Sequence, residues 1–220
     1  MPADYLPVML SIDHPHPELE QWVAQRFEML NGQRVHIVHK EDLPEDARAV
    51  HPEYLLAWLW DVVPKDTQRI LHVDTDIVPL RPLPDIPDAP FVAASDCRGY
   101  VDRCATRYPV IATSDNFFNE GFFVARRDTQ YIFEQLKAFS IYRSVPDTTS
   151  GGFLQMPINF LVQSSVDITW LPHACNTIAI DAHPDMSPGI IALHFCVLPN
   201  DTNWVIMNTL RTMLGLSKLP

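Results

Sequence analysis

Positive charge is scarce in this chain of 220 residues: 16 lysines and arginines stand against 27 aspartates and glutamates, a net charge of −11. That balance argues against a protein that coats nucleic acid, while leaving room for a local basic patch. An acidic chain that handles anionic phosphates needs a metal ion, helix N-termini or a few placed cations to offset repulsion. Long apolar runs are missing as well, since none approaches the roughly 18 residues that would span a bilayer. The opening "MPADYLPVML" has no basic start and is broken at once by proline, so it does not read as a signal segment. The expected location is therefore cytoplasmic. No C-x-x-C pair occurs among Cys97, Cys104, Cys175 and Cys196. They read as reduced, partly buried thiols, and their irregular spacing with His173 matches a zinc site poorly. No internal repeat or low-complexity tract interrupts the chain.

Glycine is also sparse, 7 residues against 20 prolines. Prolines crowd "PLRPLPDIPDAP", Pro79 to Pro90, which reads as a stiff, extended exit loop that cannot continue a sheet ladder. Apolar strands continue on both sides, so it is not a domain linker. With 47% hydrophobic residues, the chain is long enough to bury a core, and a single domain over 1–220 is expected.

The first half alternates strand and helix signals. "PVMLSID" reads as a strand, and "PELEQWVAQRFEML" places Leu19, Trp22, Val23, Phe27 and Leu30 at helical spacing, with Pro17 suiting the first turn. "RVHIVHK" is a second strand, and "HPEYLLAWLWDVV" is apolar on nearly every side, hence a buried helix. The segment Arg69 to Asp74 is the third strand. This β-α-β-α-β order predicts an α/β fold with a parallel sheet covered on its faces. The second half is more mixed. Strands are expected at "PFVAASD", "GFFVARR", "DITWLP" and "GIIALHF", and helices at "TQYIFEQLKAF", N-capped by Asp128, and at "FLQMPINFLVQ". "NWVIMNTLRTMLG" reads as a closing helix stopped by Gly215.

One stretch combines a core strand with chemistry. "RILHVDTDIVPL", Arg69 to Leu80, runs through apolar residues and stops on two carboxylates, Asp74 and Asp76. Among 19 aspartates, chance alone supplies roughly 1.6 such D-x-D pairs, so the spacing by itself is uninformative. Its position at the end of an apolar strand is informative, because ligands of open α/β sheets bind beyond the carboxyl ends of strands. Two adjacent carboxylates there repel each other unless a divalent cation sits between them. The bland reading is a solvated strand end with Asp76 starting a turn.

Two metal chemistries fit "HVDTDIV". In a haloacid-dehalogenase-like phosphatase, Asp74 would be the nucleophile and Asp76 the acid/base, but a later lysine and acidic pair are needed. Only Lys137 and Lys218 follow, without a matching aspartate pair. In metal-dependent glycosyltransferases a D-x-D pair holds Mn²⁺ or Mg²⁺, which binds the diphosphate of a nucleotide-sugar.

Several segments in order resemble the family-8 glycosyltransferases, the group of glycogenin and the bacterial lipopolysaccharide galactosyltransferases. "RILHVDTDIVPLRPL" resembles their "vlYLDaDvvvlgdL", and "FNEGFFVAR" their "FNaGvmlin". "LQMPINFL" is similar to "DQdilN", with Gln155 and Asn159 in matching places, "LPHACN" to the "Lp..yN" strand, and "IIALHFCVLPNDTNW" to "iiHf.g..KPW". The resemblance implies a GT-A fold, a Rossmann-like mixed sheet flanked by helices. It also implies a UDP-sugar donor, a divalent metal (Mn²⁺ or Mg²⁺) and retention of anomeric configuration.

Carried over by position, the resemblance makes Asp74, Asp76 and His194 metal ligands and places Thr75 between the carboxylates at the donor. A histidine on an apolar strand is otherwise more readily a satisfied core residue. Asp96 matches a residue that contacts the donor sugar. Asn119 and Gly121 match the sugar-pocket turn, and Ser11 with Asp13 the end of the base-binding strand. Gln155 falls on the acceptor face, suited to orientation or charge stabilisation rather than nucleophilic attack. The acceptor is not legible: protein, glycan, lipid-linked sugar or modified base all fit, the last disfavoured by the acidic charge. Two positions depart from the pattern. Leu154 replaces the aspartate before the glutamine, and Asn200 falls where a diphosphate-binding lysine belongs. Arg98, Arg126 and Arg127 are the cations that could replace it. A sugar-nucleotide binder without turnover is the alternative reading.

Overall fold

The computed structural model describes residues 4–12, 16–50, 52–95, 117–141, 155–179, 189–195 and 210. Three strands, β1 (Leu6–Ser11), β2 (His36–His39) and β3 (Arg69–Val73), pair in parallel with β1 between the other two. They form half of a six-stranded sheet of order β2-β1-β3-β6-β5-β7. The other half is β5 (Phe91–Ser95), β6 (Phe118–Arg126) and the edge strand β7 (Ile168–Leu171). Strand β6 runs antiparallel to both β3 and β5, while β5 and β7 are parallel. Every residue of β3 is buried, which explains why its sequence is apolar without alternation.

Both faces are covered. On one, Val8, Ile70, Phe91, Phe123 and Ala125 meet Tyr54 to Trp60 together with Ile132, Phe133 and Leu136 of α3 (Gln130–Ile141) and Ile158 and Val162 of α4 (Gln155–Ser165). On the other, Met9, Leu71, Val73, Val92 and Val124 pack on Leu19, Trp22, Val23 and Phe27 of α1 (Pro17–Asn31). Helix α1 follows its sequence signals closely. Pro17 occupies the first turn, Glu18 and Glu20 lie where the helix dipole favours negative charge, and Gly32 ends it at φ 70° with its N–H on the Glu28 carbonyl, 2.7 Å away. A short helix, α2 (Glu45–Arg48), precedes the Pro52–Trp58 segment.

Three expectations need correction. The buried helix expected at "HPEYLLAWLWDVV" winds as a 3-10 segment over Pro52–Trp58. Burial of Tyr54 through Trp60 on all sides leaves no amphipathic stripe to select a 3.6-residue period. Asp128 does not cap α3: it lies inside the 3-10 turn Arg127–Thr129 and its carboxylate accepts from Arg126 instead. "GIIALHF" contributes only β9 (Ala192–His194), and not to the main sheet. The chain beyond Thr75 likewise leaves that sheet. Strand β4 (Ile77–Pro79), β9 and β8 (Thr177–Ile178) form a separate three-stranded sheet of order β4-β9-β8. Residues 80–90 then run without regular structure, as the prolines require. The closing helix with Gly215 falls outside the described residues, apart from Leu210, which is helical. Among the described residues no helix is long and apolar enough to cross a membrane.

Helix α4 is anchored to the start of β6 chiefly by one buried side chain, Asn159. Asn159 accepts from the Phe118 N–H at 2.9 Å and donates to the Phe118 carbonyl at 2.8 Å, so it pairs with both groups of one residue. Replacing it by leucine leaves the Phe118 N–H without this partner and the carbonyl with only the longer contact from Gln155, and the lost side-chain bonds together cost about 1–3 kcal/mol. Asn159→Leu is expected to lower the unfolding free energy by about 1–3 kcal/mol with an unchanged urea m-value, read from the shift in denaturation midpoint.

Candidate functional site

Strand direction alone brings several of the singled-out residues to one edge of the sheet. Ser11 ends β1, Asp74 follows β3, Ser95 ends β5, and antiparallel β6 begins there with Asn119 and Gly121. This is the carboxyl edge of the parallel strands, where open α/β sheets bind ligands.

Asp74 leaves β3 opposite Gly121, in continuation of the Val73–Phe122 pair, and its N–H donates to the Gly121 carbonyl at 2.9 Å. The chain then turns through half-buried Thr75, with the Ile77 N–H on the Asp74 carbonyl at 3.2 Å, and enters β4. Pairing of Ile77 with His194 sets the second sheet's register and delivers the imidazole to the carboxylates. His194 Nε2 lies 3.2 Å from Asp76 Oδ1 and 3.7 Å from Asp74 Oδ2. One ligand atom from each of the three residues falls within 4.8 Å of the others, the only such group among the described residues. The convergence expected for Asp74, Asp76 and His194 is therefore present, although more than a hundred residues separate the histidine from the pair.

The protonation pattern suits a hard divalent cation. His194 Nδ1 is 3.0 Å from the Asn176 amide oxygen, which only accepts, so the proton resides on Nδ1 and the Nε2 lone pair faces the carboxylates. Burial pushes the Asp74 carboxyl up, but the hydrogen bond from His72 and the positive charge that His72 and His194 carry when protonated outweigh it and hold the group below the usual carboxylate range. Two carboxylates and an imidazole nitrogen, each offering one atom, make a donor set that fits Mn²⁺ or Mg²⁺. The backbone leaves space for it: a Cβ on Gly121 would collide with Asp74 Oδ2 and lie 2.7 Å from His194 Cε1. Between its pairings with Ala93 and Ser95, strand β6 sets four residues, Asn119 to Phe122, against one, Ala94, and so bulges away from the β5 register where it reaches Asp74.

The neighbouring residues are ordered by backbone contacts. Asn119 is buried and its amide oxygen accepts the Gly121 N–H at 2.9 Å, fixing the turn beneath Asp74. Gln155, buried at the first position of α4, points its amide nitrogen at the Phe118 carbonyl, 3.4 Å away, next to Asn119. The Ser11 hydroxyl donates to the buried Glu20 carboxylate of α1. Asp13, Asp96, Leu154, Asn200 and Arg98 lie outside the described residues.

Arg126 and Arg127 are excluded as stand-ins for the missing lysine. Arg126 pairs in register with Arg69, at the far end of β3 from Asp74, and binds Asp128. Five residues of strand put it roughly 17 Å away along the sheet. Arg127 donates to the carbonyls of Thr67 and Pro64 and stacks 4.3 Å over Trp60. The phosphatase reading loses its lysine among the described residues, since the Lys137 ammonium is held by Asp61 at 2.6 Å and Glu134 at 2.9 Å. Cys175 is a buried thiol whose pKa burial pushes up to about 11, consistent with an inert core residue rather than a zinc ligand.

Sequence reasoning left two residues of the site unassigned. His72 was legible, because positions two apart on a strand share a face and "HVD" puts it beside Asp74. Asn176 carries no local signal of its contact with His194.

No family model and no curated protein sequence matches the chain. Solved structures do match. A glycosyltransferase involved in glycosylation of the major capsid of PBCV-1 superposes at a TM-score of 0.60 and 14% identity, covering 93% of this chain and 99% of that one. The glycosyltransferase GlyE of Streptococcus pneumoniae TIGR4 matches at 0.55 and 12% identity over 96% of this chain, which spans 64% of GlyE. Mouse xyloside xylosyltransferase 1 matches at 0.51 and 12% identity, covering 89% and 99%. The chain has the GT-A glycosyltransferase fold that its sequence segments resemble.

Proposed function

We propose that this chain is a metal-dependent, retaining glycosyltransferase that moves a hexose from a UDP-sugar to an acceptor hydroxyl. The observation that carries this reading is the convergence of Asp74, Asp76 and His194 at the carboxyl edge of a GT-A sheet. A divalent cation held by these residues supplies positive charge against the diphosphate as the sugar–oxygen bond breaks. Asn176 keeps the His194 lone pair turned to the site, and Asn119 with Gly121 holds the adjoining backbone close enough to face a sugar. Asp96 is assigned to the donor sugar's hydroxyls, and Ser11 and Asp13 to the nucleotide. Gln155 is assigned to orient the reacting centre.

The stereochemistry follows from what Gln155 lacks. An inverting transferase needs a general base opposite the leaving group, and an amide cannot take a proton near neutral pH. With Leu154 beside it, the acceptor face assigned to Gln155 offers no carboxylate from that pair. An α-linked donor is expected to give an α-linked product.

The reading is tested in two steps. A screen of UDP-sugars should find one that raises the melting temperature only with Mn²⁺ or Mg²⁺ present, by about 5–10 °C at a hundredfold excess over Kd. With that donor, NMR of the product reports the anomer, and a β-linkage would count against retention. Stabilisation without any transfer or hydrolysis at saturating metal would instead favour the binding-only alternative, to which the departures at Leu154 and Asn200 point.

A further inference from the structure

His72 is the one buried histidine of β3, and its two nitrogens are treated very differently. Nε2 lies 3.0 Å from Asp74 Oδ1. A carboxylate oxygen only accepts, so Nε2 carries the proton and donates it. Nδ1 is buried and has no hydrogen-bond partner among the described residues, with the ring packed 5.2 Å from that of Phe123. A histidine kept for stability alone would be better served by an apolar ring, which fills the same space without an unsatisfied nitrogen. Its single polar contact divides the two oxygens of Asp74. Oδ1 is occupied by His72, while Oδ2 faces His194 Nε2 in the space that the absent Cβ of Gly121 leaves open. The carboxylate needs such restraint, because 39% of its side-chain surface is exposed and no other hydrogen bond to its oxygens occurs among the described residues.

We propose that His72 is a positioning residue that makes Asp74 a one-oxygen metal ligand, by holding Oδ1 so that Oδ2 alone is presented to the cation. The inference rests on the metal reading above. The imidazole acts through Asp74 and touches neither donor nor acceptor. Pinned in this way, the three protein ligands contribute one atom each, and the remaining coordination positions stay open to a diphosphate and water.

The test is Mn²⁺ binding, followed by the EPR signal of the free ion, in the wild-type protein and in Asp76→Asn, His72→Phe and His72→Gln. Phenylalanine keeps the ring and removes the donor, whereas the glutamine amide nitrogen reaches about as far as Nε2 and keeps one. His72→Phe should raise the Mn²⁺ Kd by about 10-fold or more, His72→Gln should stay within about threefold of wild type, and the metal-free melting temperature of His72→Phe should not fall. A wild-type Kd in His72→Phe overturns the proposal. So does a loss of metal-free stability in both variants with equal loss of Mn²⁺ affinity, because that is the pattern of a merely structural residue. Absence of Mn²⁺ binding in the wild-type protein is distinct: it overturns the metal reading and this inference with it.

Discussion

Replacing Gly121 by alanine is expected to abolish tight metal binding while leaving the fold in place. The new methyl would overlap Asp74 Oδ2 and lie 2.9 Å from Asp74 Cγ and 2.7 Å from His194 Cε1. Both contacts are shorter than carbon atoms tolerate, so something has to move. The Gly121 backbone is held to the β3 side by the Asp74 N–H, and His194 is tied to Asn176. The half-exposed Asp74 carboxylate is the group with a way out, toward solvent. Its displacement by about 1 Å is enough to cost on the order of 10²-fold in turnover. Circular dichroism and the metal-free melting temperature should stay close to wild type, and the stabilisation produced by Mn²⁺ should disappear. An alanine variant that binds Mn²⁺ normally would show that the ion is not held between Asp74 and His194.

Asp76→Asn is expected to reduce glycosyl transfer by about 10³-fold, equivalent to ~4 kcal/mol of lost charge stabilisation. The backbone role of residue 76 survives, since the Phe195 N–H bonds to its carbonyl at 3.2 Å and not to its side chain. The metal-free variant should be at least as stable as wild type, because the substitution removes one of two carboxylates crowded at the end of β3. The two effects thus have opposite signs, a combination that general damage to the fold does not produce. The comparison is made by thermal unfolding with and without Mn²⁺, alongside turnover with the donor found in the screen. A variant that retains both the Mn²⁺-induced stabilisation and the activity would remove Asp76 from the site.

Local chemistry carried much of the architecture. The period of Leu19, Trp22, Val23 and Phe27, with Pro17 before them, specifies α1, and the apolar runs at Leu6–Ser11, His36–His39 and Arg69–Val73 correspond to three strands that do pair in parallel. Periodicity misjudged the Pro52–Trp58 segment because residues buried all round show no stripe. Asp128 had the right residue type for a cap, but Arg126 two positions earlier offered its carboxylate a charged partner. At the site, Asp74 and Asp76 were readable from their place at the end of an apolar strand. His194 was readable only through resemblance to a family, since an apolar strand disguises a ligand as a core residue.

What the sequence determined by itself is therefore the set of local commitments: which stretches are strands or helices, where β3 must stop, and which carboxylates face the edge where strands end. Side-chain alternation and capping act over a few residues, so these decisions need no distant partner. Tertiary structure decided the assembly of the site. Strands β4 and β9 are three residues each and almost wholly apolar, so nothing within them selects their partner or register. The Ile77–His194 pairing arises only once both segments pack on the same face of the main sheet, and it brings the imidazole to Asp76. The bulge of β6 at Asn119 to Phe122 and the Asn176 contact to His194 belong to the same class. They depend on hydrogen bonds between segments distant in the chain, whose energies exist only after the core has formed.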